Sequence, residues 1–421
     1  MRLTLAVSAA FSAALATASP PAMAQDCTTR IGVVMELTGP AGAYGQAGAK
    51  SVEMAFRDLN AAGGVAGCKL AADTRDSQSQ GTVAVDAARQ LVDIDHVPAI
   101  IGGIISSVSI PILTAVTGPA RVVQVSPASS SPTLTALGRA GKTNGIFFRT
   151  ITSDALQGVA AARYALDLGL KKLSIIRVNN DFGVNMAREF AAAYVALGGT
   201  IVSTTPYNEK QSSYDAEATQ AMAGNPDGLY LISYPVDGAT IARAWISQGG
   251  PRRFLLNDGM NSGDFISAVG AKYLTDAHGT SSGTDTSKST DYFNANYKAF
   301  SNLDPGSPAA VQSYDAAALV GLAIAATGKT DSASIRAGMF KATDPAGAEV
   351  DAGADGFAKG LALLKAGKPI RYVGVIGPIS FDQYGDITGP FAEWSIEDGK
   401  VVTKGSLSTE DINRIRAQMG K

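Results

Sequence analysis

From Ile31 onward the chain alternates short β-rich runs with amphipathic stretches, and the alternation starts twice. In the first series, Ile31–Met35 reads as a strand. The following Ala47–Ala61 carries Val52, Ala55, Phe56 and Leu59 at i, i+3, i+4 and i+7, one apolar helical stripe. Gly63-Gly64 closes that helix with positions that tolerate positive φ. Lys69–Asp73 is the next strand, followed by a helix with Ala84, Ala87, Ala88 and Leu91 on one face. Pro98–Ile101, a helix after Ser106, and Val122–Val125 complete the series. After Phe147-Phe148-Arg149 the pattern restarts, with strands at Leu173–Val178, Thr200–Thr204, Leu229–Ser233 and Phe254–Asn257. Helices between them close on Gly198-Gly199 and Gly249-Gly250. Strands separated by helices of this length imply βαβ units and parallel sheets. Two series imply two similar α/β lobes.

The remainder is less regular. Tyr292–Phe300 and Ser313–Ala326 read as helices, Ala342–Gly360 as loop-rich, and Ile379–Phe381 and Ala392–Ile396 as late strands. A tail unlike either series suggests that the chain crosses back between lobes. The expected division is 25–150 with 279–380 in the first lobe, and 151–278 with 381–421 in the second.

The first 24 residues stand apart as an expected secretory signal peptide. Met1-Arg2 gives a positive start, Leu3–Ala18 an apolar core, and Ala22-Met23-Ala24 the small-x-small cleavage pattern. Gln25-Asp26 separate the cut from Cys27, so no lipid anchor is expected; nor is any later apolar run read as a membrane span. The expected location is a periplasm-like compartment, where a disulfide persists. Cys27 and Cys68 each precede one of the first two strands. Those strands are neighbours in a doubly wound sheet, so both thiols lie at the same end. Closing that loop stabilises by roughly 4 kcal/mol in the chain-entropy model.

A net charge of −2 suggests neither nucleic acid nor an acidic membrane surface as partner. His96 and His278, the only histidines, leave little material for a transition-metal site or a histidine base. Gly279-Thr280-Ser281-Ser282-Gly283 fits G-x-S-x-G, yet a nucleophile elbow needs a strand before it and a helix after. Polar residues follow, and a flexible loop is expected. Gly328-Lys329-Thr330 lacks the earlier glycine of a P-loop and reads as a helix C-terminus. Gly42, Gly45 and Gly48 do not give the dinucleotide spacing. No enzyme activity, cofactor or metal is expected.

Two serine groups are more informative. Ser106-Ser107 follow the third strand, and Ser126-Pro127-Ala128-Ser129-Ser130-Ser131 follow the fourth. Ligands of open α/β sheets bind beyond the carboxyl ends of strands. Hydroxyls and backbone N–H groups there suit a carboxylate; the same serines also suit ordinary helix capping. Asp258 ends the last strand of the second series. It can reach the same crevice as an acceptor for a cation, or serve as a turn aspartate before Gly259.

With these pieces in order, the sequence resembles the branched-chain amino-acid-binding family of periplasmic binding proteins, the leucine/isoleucine/valine-binding type of ABC importers. The resemblance covers nearly the whole mature chain. It rests on Leu37-Thr38-Gly39-Pro40, Tyr44-Gly45, Asp58-Leu59-Asn60, Gly63-Gly64-Val65 and Gly67. It continues through Ile101-Gly102, Ser106-Ser107, Ser126-Pro127, Phe148-Arg149 and Asn180-Asp181-Phe182-Gly183. Tyr314-Asp315-Ala316-Ala317, Gly377-Pro378-Ile379-Ser380-Phe381-Asp382 and Gly385-Asp386 complete it.

The resemblance implies a type I fold: two doubly wound parallel-sheet lobes joined by a three-strand hinge that closes on the ligand. By the same resemblance Ser106, Ala128 and Ser130, with their neighbours Ser107 and Ser129, hold an α-carboxylate. Tyr234 and Asp258 hold the α-ammonium, and Tyr44 and Phe182 frame the side-chain pocket. Two departures bear on the ligand. The family usually has glutamate at Asp258 and tyrosine at Phe182. The expectation is a monomer that captures an amphipathic amino acid and delivers it to an ABC permease with its ATPase. A carboxylate, amide or urea lacking the α-amino group is the alternative, as is a ligand-sensing role at a receptor.

Overall fold

A computed structural model describes residues 27–283 and 286–419; the expected signal peptide lies outside the described residues. The first lobe is built on β1 (Thr28–Met35), β2 (Lys69–Asp76), β3 (Ala99–Gly102), β4 (Val123–Ser126) and β5 (Phe147–Arg149). They form one sheet in the order β2-β1-β3-β4-β5, every pair parallel. The strands are near-continuous apolar runs because helices cover both faces. The stripe residues Val52, Ala55, Phe56 and Leu59 are all buried, on a helix running Gly42–Ala61.

The second lobe contains β6 (Lys172–Val178), β7 (Thr200–Tyr207), β8 (Gly228–Ile232), β9 (Arg253–Leu256) and β10 (Asp276–Ser282). Later come β11 (Ala348–Asp351), β12 (Ile370–Gly374), β13 (Gly377–Pro378), β14 (Phe391–Glu397) and β15 (Lys400–Leu407). The second sheet has the order β15-β14-β10-β9-β8-β6-β7. Its first-formed strands are parallel, and the late hairpin β14-β15 adds antiparallel to β10. The short strands β11-β12-β13 form a third sheet. The chain is therefore α/β, with two parallel-sheet lobes.

Three segments pass between the large sheets and pack on one another. Thr152, after β5, makes a parallel bridge with Ile387 and shares a 2.5 Å hydroxyl contact with Ser282. Gly283 N–H donates to the Pro390 carbonyl at 2.8 Å. β10 stays paired in the second sheet up to Ser282, which moves the expected return at 279 to after that residue.

Cys27 and Cys68 are joined, with Cα atoms 4.6 Å apart. The parallel register begins at Thr28 opposite Lys69, so the two preceding residues fall side by side.

Several expectations are corrected. The supposed flexible loop at Gly279–Ser282 is part of β10, hydrogen-bonded on both edges. A Cβ on Gly279 would sit 2.2 Å from the Trp394 ring, so this glycine serves packing rather than an elbow. His278 and Ser281, three apart on a strand, point to opposite faces; His278 instead meets Asp276 at 3.0 Å. Ala342–Gly360, expected as loop, contains β11 and the start of helix Ala354–Lys365. Ile379–Phe381 is not a strand: Phe381 leaves the sheet to pack on Phe148, ring centroids 5.0 Å apart. Helix Ala310–Thr327 is long and apolar enough to span a bilayer, contrary to the reading of the sequence, but it lies mostly buried. Gly328 ends it in the left-handed conformation, as expected of a helix C-terminus.

Candidate ligand-binding site

The carboxyl ends of β3 and β4 are neighbours, and the turns that leave them form one wall of an interlobe cavity. After β3, Ile104 and Ile105 turn their backbone N–H groups onto the Glu36 carboxylate at 3.0–3.2 Å. Glu36 thus occupies the two backbone donors that immediately precede Ser106. Ser106 opens the next helix. Its Oγ accepts from Ser131 N–H at 3.1 Å, which leaves its own O–H to donate elsewhere. Ala128 and Ser130 line the cavity beside it.

Ser107 and Ser129 do not line this cavity. Ser129 is fully buried and donates to the Ile104 carbonyl at 3.0 Å, tying the two turns together. Ser107 is half-buried on the flank of its helix. Ser131, the last of that serine group, takes the capping role: its Oγ caps helix Pro132–Arg139 and also accepts from Asn185 of the other lobe at 3.0 Å.

The opposite wall comes from the second lobe. Phe182, in the first turn of helix Asp181–Ala196, stacks on Tyr234 with centroids 5.9 Å apart. The Tyr234 hydroxyl accepts from Asn180 Nδ2 at 3.1 Å. Tyr44, at the start of helix Gly42–Ala61, meets Tyr234 edge-on across the cleft at 6.3 Å. Asp258 follows β9, and its Oδ1 accepts from Gly259 N–H at 3.0 Å and Asn257 Nδ2 at 3.2 Å. The lobes approach so closely here that a Cβ on Gly259 would lie 2.6 Å from the Tyr44 hydroxyl oxygen. These groups enclose a small cavity between the lobes.

Electrostatically the site is acidic. Burial pushes the Asp258 carboxyl up. Behind Ser130 stands Asp154, fully buried, with neither carboxylate oxygen hydrogen-bonded. Burial, and then the neighbouring Asp258 charge, push it up to about 8. Glu36 is pushed up to about 7 by burial, partly offset by the two backbone N–H groups it accepts. Both were missed: Glu36 is a lone acid in an apolar run, and Asp154 after Thr152-Ser153 reads as an ordinary first-turn acid of a helix.

A carboxyl raised in the folded state binds more protons folded than unfolded, so its stabilisation is present at low pH and lost as pH rises through the folded value. Between pH 8 and pH 5 the ligand-free protein is therefore expected to gain melting temperature as pH falls. Asp154→Asn should flatten that slope. A melting temperature that drops steadily over this interval contradicts the assignment.

Against known proteins, the sequence model described as periplasmic binding protein matches residues 28–360. A Leu/Ile/Val-binding protein homolog of Brucella melitensis is 28% identical over 408 residues, covering 96% of this chain and 99% of the relative. A leucine-binding protein from Thermotoga maritima shares the fold with TM-score 0.78 at 22% identity, over 91% of this chain and 99% of the other. A Rhodopseudomonas palustris solute-binding protein of an ABC transporter, in complex with 4-hydroxybenzoate, has TM-score 0.74 at 18% identity, covering 92% and 100%. With its two-lobed type I architecture and a family match over most of its length, the chain belongs to the periplasmic binding protein family.

Proposed function

We propose that this chain captures an amphipathic α-amino acid between its lobes by hinge closure and hands it to an ABC permease. The observation that carries the reading is the carboxyl group in the cavity wall. Asp258 lines it, and no lysine or arginine is among its lining residues within the described chain. A buried ammonium needs acceptors and a counter-charge, which Asp258 offers. The ligand carboxylate is met by neutral donors, the hydroxyls of Ser106 and Ser130. Ile104, Ile105 and Phe182 give the apolar surface for the side-chain stem. The name of the Brucella melitensis relative agrees with this ligand class.

The second reading is a carboxylate without an amine, favoured by the 4-hydroxybenzoate complex of the Rhodopseudomonas palustris neighbour. The acidic wall speaks against it, since an anion would face Asp258 with no fixed cation in the lining.

Closure is testable by small-angle X-ray scattering of the mature, ligand-stripped protein. Adding a mixture of the twenty amino acids is expected to lower the radius of gyration; an unchanged radius contradicts capture of an amino acid by closure.

A further inference from the structure

Beyond Asp258 the interlobe space widens into a second chamber, open at its mouth, which shares Tyr44, Ala128 and Asp258 with the first. We infer that this chamber receives the far end of the ligand, and that this end is a neutral group rich in hydrogen-bond donors, such as a carboxamide or ureido group. The inference rests on the amino-acid reading above and narrows it to side chains that end in such a group.

The chemistry of the lining carries it. The first lobe contributes Gln312 and Asn294, and the second contributes Asn261 and Ser281. The sequence analysis had assigned none of these to a ligand. Ser281 faces the chamber from β10. Two buried polar atoms at the chamber have no hydrogen-bond partner, Gln312 Oε1 and the Tyr44 hydroxyl.

A hydrocarbon end placed there would leave such groups unsatisfied, at about 1–3 kcal/mol each. An anionic end would share its wall with Asp258, and no lysine or arginine lines the chamber. A carboxamide N–H can donate to Gln312 Oε1 while its carbonyl accepts from hydroxyl or amide donors around it. Gln312 itself is held firmly: it lies in the first turn of helix Ala310–Thr327, and its backbone carbonyl accepts from Thr150 Oγ1 at 2.9 Å.

The test compares glutamine with norleucine, chains of similar length with and without the terminal amide, by titration calorimetry. Glutamine is expected to bind at least about tenfold more tightly, because a site built for hydrogen bonds discriminates strongly against an analogue that lacks them. Gln312→Met keeps the length of the side chain, removes the acceptor, and should erase most of that preference. Ser281→Ala is the second variant and should reduce it. Ligand-free melting curves of both variants verify that each is folded. Norleucine binding as tightly as glutamine, or a preference untouched in both variants, overturns the inference while leaving the amino-acid reading intact. Binding of deaminated carboxylates with no response to any amino acid overturns both.

Discussion

Asp258→Asn is expected to cost amino-acid affinity on the order of 30- to several-thousand-fold. Removing one partner of a desolvated charge pair costs roughly 2–5 kcal/mol, and each 1.4 kcal/mol is about tenfold. Asparagine keeps the shape of the side chain and an oxygen for the Gly259 N–H that Asp258 Oδ1 now accepts at 3.0 Å. The loss should therefore reflect charge rather than a collapsed loop. A carboxylate without an amine should bind the variant about as well as the wild type, since it has no ammonium to leave unpaired. Titration calorimetry of leucine, glutamine and 4-methylpentanoate against both proteins separates the cases. Amino-acid affinity unchanged in the variant contradicts the role given to Asp258.

The largest expected effect on stability is at Arg149. Its side chain is completely buried, and Nε donates to Asp386 at 2.7 Å. The remaining nitrogens donate to the Ser129 carbonyl at 3.0 Å, the Ser131 carbonyl at 3.2 Å and Thr135 Oγ1 at 2.8 Å. One guanidinium therefore fastens the serine turn to the third interlobe segment. Arg149→Leu removes the positive partner of a mostly buried pair and strands two carbonyls, for an expected loss of about 3–5 kcal/mol. In lobes of this size that corresponds to a fall in melting temperature on the order of 10 °C. The serine turn should loosen with it, so ligand affinity should fall as well. A melting temperature within a degree or two of wild type contradicts this account.

How much of this was legible in the sequence depended on whether periodicity or tertiary context decided each element. The two βα series were readable because their strands are buried on both faces and their helices carry one apolar stripe. The disulfide was readable for the same reason, since parallel neighbours start level. β10 was not: a run of Asp, His, Gly, Thr and Ser has no apolar alternation. Helix Ala354–Lys365 does bury Phe357, Gly360 and Leu364 at helical spacing. Glycines at 353, 356 and 360 disguised it as loop. Ile379–Phe381 looked like a strand because its outer residues are apolar, yet Ile379 and Phe381 are buried and Ser380 exposed with no partner strand.

The candidate site divides in the same way. Serines at strand ends and the acid after β9 follow from the rule that open sheets bind ligands at their carboxyl edges, and Ser106, Ser130 and Asp258 converge on one cavity. Ser107 and Ser129 do not, because alternate positions in a turn face away from it. Glu36, Asp154 and Asn185 were invisible, since tertiary packing rather than any local pattern brings them to the site.

The requirement for an α-amino group is tested most directly by thermal unfolding of the mature protein against paired ligands: free amino acids, their deaminated analogues and benzoates. A ligand at a hundredfold its dissociation constant adds roughly 2.7 kcal/mol, a shift of several degrees. The account predicts shifts with amino acids and none with the amine-free partners. Shifts confined to the amine-free carboxylates would keep the fold and contradict the ligand.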